Sequence, residues 1–255
     1  MELNCLTVDQ WQSCDGLLHG FLGRKGGKST GPYAGLNVSY RVGDDNKIVS
    51  QNVCDMKLAV GIHDGRIVTM KQVHGDQIAE VSDPKMKEAG ECDGMITDHP
   101  GIFLGVLTAD CVPILLLAPK QRKVAAVHAG WRGTLAGIAA KAVTTFKEKY
   151  AIPSSEIQAA VGPAIDRCCY EVGNEVVQPM VERWGAAAEA CIDRGHSKPH
   201  LDLRSLNRAI LERAGLSAKN IHQLGPCTKC AEEDYFSYRR AGAETGRQIS
   251  FIGWI

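Results

Sequence analysis

Between residues 101 and 128 the chain passes through apolar, strand-like segments at 102–107, 114–117 and 124–128 that succeed one another with no room for a helix between them. Neighbouring parallel strands need a crossover of about a dozen residues or more, so this stretch points away from a purely parallel, doubly wound sheet. Further strand-like runs occur at 66–73, 77–81, 157–161, 221–224 and 248–255. Helix-like runs fall at 46–60, 133–150, 171–184 and 203–214, the last with Gly215 placed to cap it. The expected fold class is α/β, with a mixed sheet or sheets flanked by helices. No fixed-period repeat or long linker divides the 255 residues, and 82–91 and 185–198 read as surface insertions, so residues 1–255 are expected to form one domain.

Lys plus Arg and Asp plus Glu both number 29, giving a formal charge of zero. No broad field is available to gather nucleic acid or an anionic membrane, and a small, individually recognised substrate fits better. The opening MELNCLTVDQWQ lacks a basic segment followed by an apolar stretch, and the longest apolar run, 112–118, is far too short to span a bilayer. Ten cysteines scattered through a chain of this size, without export signals, read as reduced thiols, and a cytoplasmic location is expected.

Three residues carry the chemistry: His74 in KQVHGD, Cys111 in TADCVP and His128 in AVHAGW. Each sits at or near the end of an apolar run beside a small residue, Gly75, Ala109, or Ala129 with Gly130. Two imidazoles and a thiolate are the ligand count of a catalytic zinc site with one position open. A His or Cys at the end of a core strand is more often a buried polar group satisfied by its neighbours. Cys111 with one histidine also has the composition of a cysteine hydrolase. The second histidine separates these readings, because a nucleophile needs only one base whereas two imidazoles and a thiolate suit a metal. A binding or structural protein is the third alternative, its metal closed by a fourth ligand such as Cys92 or Cys168.

The stretch VAAVHAGWRGTLAGIAAKAV runs from a strand-like segment into an alanine-rich helix expected to begin near 131–134. Free N–H groups there, with Arg132, would make an anion site. GRKGGKST resembles a phosphate loop but has Leu22 where the motif needs glycine, so its glycines are read as turn residues. Cys227-x-x-Cys230 has the spacing of half a zinc knuckle without a second pair at matching distance, and Cys168 and Cys169 are read as core thiols.

Seven ordered blocks together resemble the YfiH-type proteins, the purine nucleoside phosphorylase or laccase-domain family once labelled multicopper polyphenol oxidases. The blocks are GPYAGLNVSYRVGDD (31–45), KQVHGD (71–76), CDGMIT (92–97), TADCVPILL (108–116), AVHAGWRGTLAGI (126–138), GPAIDRCCYEVG (162–173), and FSYRR with TGR near the C-terminus. The resemblance implies a zinc-dependent enzyme that phosphorolyses adenosine, inosine, guanosine and methylthioadenosine and deaminates adenosine, with purine nucleosides and phosphate as its partners. It implies that His74, Cys111 and His128 hold the metal and are the catalytic set, the zinc lowering the pKa of bound water for attack on the purine C6. Asn37 and Arg41 match the family's first loop and are expected to contact nucleoside, as are Gln72 and Glu171, although many relatives carry histidine where Arg41 stands. Cys92 stands where relatives usually have alanine. The older oxidase label fits poorly: eight histidines, none in a His-x-His pair, are too few for a multicopper centre, although a His₂Cys site can take up one copper in vitro.

Overall fold

The computed structural model describes residues 3–255 and contains two six-stranded sheets. The first comprises β1 (Cys5–Leu6), β2 (Leu17–Leu22), β3 (Arg66–Lys71), β5 (Glu88–Glu91), β7 (Ile102–Thr108) and β14 (Gln248–Trp254), in the order β1-β2-β14-β7-β3-β5. The second comprises β4 (Ile78–Glu80), β6 (Gly94–Thr97), β8 (Val112–Ala118), β9 (Lys123–Ala129), β10 (Gln158–Val161) and β13 (Ile221–Gln223), in the order β13-β10-β8-β9-β6-β4. A short pair, β11 (Ile192–Asp193) and β12 (His200–Leu201), lies apart. Both sheets are mixed. β3 runs parallel to β5 and β7 while β14 is antiparallel to β2 and β7, and β13 and β4 lie parallel to the edges of an antiparallel β10-β8-β9-β6 core.

The apolar run VPILLLA of β8 shows why the sheets stack. Successive side chains of a strand point to opposite faces. Val112, Ile114, Leu116 and Ala118 join one buried cluster, with Phe146, Met180 and Ile210 of the covering helices. Leu115 and Leu117 join another, shared with Val68, Leu104, Val106 and Ile252 of the first sheet. A strand buried on both faces needs no polar alternation. The helical layer over the second sheet is α3 (Ile138–Tyr150), α4 (Asn174–Trp184) and α6 (Leu203–Arg213). On the far side of the first sheet, α1 (Asn46–Ala59) sets Met56 against Phe103, Ile249 and Phe251. The result is a four-layer stack, helix, sheet, sheet, helices, in agreement with the mixed α/β class expected.

Some expectations change in detail. The helix expected over 133–150 is two helices, α2 (Trp131–Ala136) and α3, because Gly137 adopts a left-handed φ of 87°. The Trp184 ring packs 3.4 Å from the point where a Cβ at residue 137 would lie, and its Nε1 donates to the Thr134 carbonyl at 3.2 Å. The helix expected from 171 begins at Asn174. Within 82–91, read as an insertion, residues 88–91 form the edge strand β5, and 185–198 contains α5 (Ala186–Glu189) and β11. A last short helix, α7 (Tyr238–Ala241), precedes β14. Among the described residues no helix is long and apolar enough to cross a membrane.

His19 of β2 gives this packing a pH dependence. Its ring lies 5.0 Å from that of Trp11, its Nε2 accepts the Val8 N–H at 2.9 Å, and burial lowers its pKa from 6.5 to about 4. The unfolded chain takes up this proton below pH 6.5, the folded chain only near pH 4. Stability from the neutral ring is therefore whole above pH 6.5 and is lost as pH falls toward 4, amounting to roughly 3 kcal/mol. Denaturant titrations of chelated protein across that window are expected to show the slope, and His19→Asn to flatten it.

Candidate active site

The site forms at one end of the sandwich, where chain leaves both sheets. Past the end of β3, the Gln72 side chain extends the ladder: its Nε2 donates to the Leu107 carbonyl at 2.8 Å and its Oε1 accepts the Leu107 N–H at 3.0 Å. The next three N–H groups, of Val73, His74 and Gly75, all donate to the Asp93 carboxylate, at 3.1, 3.0 and 2.7 Å. Converging amides of this kind form a nest for an anion, and this one holds His74 at a positive φ of 60° that a non-glycine residue rarely adopts. Asp93, fully buried, also accepts a hydrogen bond from His128 Nδ1 at 2.7 Å. One carboxylate thus fixes the backbone of one histidine and the ring of the other, and directs His128 Nε2 toward the thiol.

Cys111 is placed by a second buried carboxylate. Asp110, in the crossing from β7 to β8, has a φ of 95° and accepts from Thr228 Oγ1 (2.6 Å), Ser237 Oγ (3.0 Å) and the Arg239 N–H (2.7 Å). Strain of this kind costs about 1–3 kcal/mol and persists only where surrounding bonds over-determine it.

The candidate ligand atoms of His74, Cys111 and His128 all lie within 4.8 Å of one another. Cys111 Sγ is 3.9 Å from His74 Nε2, and the two imidazole rings stand 4.9 Å apart at 84°. Exposure is graded, with His128 buried, Cys111 intermediate and His74 open to solvent. Burial alone would raise the Cys111 thiol, but the flanking His128 and His74 outweigh it and bring the pKa down to about 6. Burial likewise opposes charge on His128, yet the Cys111 thiolate and Asp93 raise it to about 9. A ready thiolate and two imidazoles, one oriented by a carboxylate behind it, fit the donor set of a divalent metal.

The trio opens into a cleft of about 650 Å³. Arg41, Lys71, Arg132, Arg239 and Arg247 line it, so a chain of zero net charge concentrates cationic groups at one mouth. Trp131, Tyr170 and Tyr238 supply aromatic faces.

Of the residues singled out from sequence for substrate contact, Arg41, Gln72 and Arg132 lie on this lining, Arg41 also pairing with Glu88 at 2.6 Å. Asn37 and Glu171 do not. Asn37 is buried, its amide spent on Asp44, the Ser39 backbone and the Arg247 N–H, whereas half-buried Glu171 pairs with Lys198 at 2.9 Å. Cys92 and Cys168 do not join the trio: Cys92 Sγ packs 3.7 Å from the Met70 sulfur, and Cys168 belongs to a separate thiol group. The helix start at Trp131 is where expected, but α2 has only six residues. Its dipole is correspondingly small, so the arginines are the stronger anion attractors. Nothing in the sequence alone assigns Asp93, Arg239 or Arg247, although CDGMIT, FSYRR and TGR contain them.

Gly130 separates β9 from α2, and a Cβ there would lie 2.9 Å from His74 Cδ2 and 3.2 Å from Cys111 Sγ. Its φ of −70° is open to any residue, so only the site is crowded. Gly130→Ala is expected to melt within a few degrees of the native protein while losing about tenfold or more in metal affinity, measured by chelator competition.

A stacked pair of mixed sheets, with two histidines and a cysteine converging at the foot of a cationic cleft, defines the class of protein. The chain belongs to the family described as multi-copper polyphenol oxidoreductase laccase, whose model matches residues 18–255. It is 36% identical over 249 residues to the purine nucleoside phosphorylase YlmD of Geobacillus stearothermophilus, covering 93% of this chain and 90% of that protein. It is also 36% identical over 229 residues to adenosine deaminase RL5 from an unknown prokaryotic organism, covering 86% and 87%. The crystal structure of the Bacillus licheniformis hypothetical protein YfiH superposes with a TM-score of 0.92 at 31% identity, covering 98% of this chain and 96% of that one. Among the described residues, only one candidate metal group contains histidine, and it contains two. That is a single-ion donor set.

Proposed function

We propose that the chain is a zinc-dependent purine nucleoside enzyme, phosphorolysing adenosine, inosine, guanosine and methylthioadenosine and deaminating adenosine. The observation that carries this reading is the Asp93-braced His74–Cys111–His128 set opening into an arginine-lined cleft, together with the names borne by the relatives. His74, Cys111 and His128 would hold the metal, which supplies Lewis-acid polarisation and a water acidic enough to act as nucleophile near neutral pH. Asp93 keeps the proton on His128 Nδ1 and so keeps Nε2 available as a donor. The Trp131 and Tyr170 faces suit stacking of a purine. Arg132, Arg239 and Arg247, with Arg41 nearer Glu88, suit the phosphate and the charge that develops as the C1′–N9 bond breaks and a phosphate oxygen bonds to C1′. In deamination, water replaces the C6 amine and ammonia leaves.

Chromatography of adenosine incubations tests the reading directly. Adenine and ribose 1-phosphate should appear only when phosphate is present, and inosine in its absence. A zinc-loaded protein giving neither product would overturn it.

A further inference from the structure

We infer that Cys168, Cys169, Cys227 and Cys230 form a second, closed metal site, separate from the cleft, that takes a thiophilic divalent cation such as zinc. The site follows from topology. β10 and β13 are parallel neighbours, and the segments leaving their C-terminal ends stay paired through an Ala164–Cys227 bridge and a Thr228 N–H to Ala164 carbonyl bond of 3.0 Å. The first segment contributes Cys168 and Cys169, the second Cys227 and Cys230. Their sulfurs all lie within 4.8 Å of one another, with Cys230 3.6 Å from Cys168 and 3.4 Å from Cys169. Four thiolates around zinc at about 2.3 Å stand about 3.8 Å apart along a tetrahedral edge, so small shifts would seat the ion.

N–H donors and a buried cation surround the Cys227 corner of the group. Cys227 Sγ accepts the Asp166 N–H at 3.4 Å, and the N–H groups of Lys229 and Cys230 bear on the same sulfur. Arg204, with a side chain only 3% exposed, lies under the Cys227 charge. Its outer nitrogens reach the carbonyls of Leu224 (2.7 Å) and Gly225 (3.0 Å) and the Asp166 carboxylate (3.5 Å), while its Nε is buried without a hydrogen-bond partner. A four-thiolate zinc centre carries two net negative charges, which this buried cation would offset only in part. Four sulfur donors also leave no open position, which marks a structural rather than a catalytic ion. The ion would pin two segments, one carrying Tyr170 of the cleft lining and the other, behind it, carrying Thr228, the donor to Asp110 beside Cys111.

The test is metal stoichiometry on protein purified from zinc-supplemented cells under reducing conditions. Native protein should carry two zinc ions per chain, Cys111→Ala one, and Cys227→Ser/Cys230→Ser one. Cobalt-substituted protein should show a four-thiolate charge-transfer band that survives Cys111→Ala and disappears in the double variant. If the double variant does not fold, mercurial titration of native protein decides instead: a zinc ion released as four thiols are blocked supports the site. One zinc per chain in native protein, with these four thiols alkylated equally with and without added zinc or mapped as a disulfide, overturns it. The Cys111→Ala arm keeps this outcome distinct from failure of the cleft's own metal site.

Discussion

Replacing Asp93 by asparagine is expected to weaken zinc binding by about 10–100-fold and to lower stability by about 2–4 kcal/mol. The carboxylate accepts from three consecutive N–H groups and from His128 Nδ1, and an amide in its place loses the charge and turns an NH₂ group toward donors. Burial alone would raise the Asp93 pKa, but the bonds from His128, Gly75 and Val73 lower it, so the ionised form is the one the fold selects. Two readouts separate site from scaffold. Thermal melts of chelated protein report the lost nest, and competition with a chromophoric chelator reports the misdirected histidine. Native affinity in the folded variant would mean that Asp93 supports only the loop.

Cys111→Ala is expected to abolish tight metal binding and lower nucleoside turnover by roughly 10³-fold or more. Cys111→Asp discriminates between roles. As an alternative metal ligand, aspartate should restore measurable binding and part of the turnover, whereas a nucleophilic cysteine admits no such rescue. In chelated native protein, alkylation of Cys111 should accelerate as pH rises through about 6, far below an ordinary thiol near 9, because the flanking imidazoles favour the thiolate. Added zinc should suppress that reaction. Alkylation that ignores zinc would place the sulfur outside the metal site.

Much of this architecture is legible in the chain, for reasons that differ by element. β8 announces itself because its seven consecutive buried positions are all apolar, and β9 through the buried run VAAV between Lys123 and His128. The edge strand β5, EAGE, does not, since an edge facing solvent needs no apolar pattern and its pairing to β3 is set by the backbone. β2 is masked by a histidine and a glycine within LLHGFL, both tolerated because β14 and β1 flank it. The break at Gly137 is hidden in an alanine-rich run, because the Trp184 ring that meets it comes from a distant helix. At the site, His74, Cys111 and His128 are visible through ligand chemistry, and the structure brings them together. Asp93 is not, because an acidic residue before glycine reads as a turn, and only the folded chain shows where its two oxygens go. The four-cysteine group was missed similarly: a vicinal pair and a Cys-x-x-Cys pair about 60 residues apart mean little until β10 and β13 are known to be neighbours.

The double duty of Asp93 has a consequence for how the protein comes by its metal. In a zinc finger the cation assembles its own ligands, and folding waits upon it. Here one internal anion holds the His74 backbone and the His128 ring by hydrogen bonds, so the cradle is shaped before any cargo arrives. Loading should therefore behave as simple capture into a rigid seat, fast and reversible, with the empty protein persisting as a stable species ready to be filled.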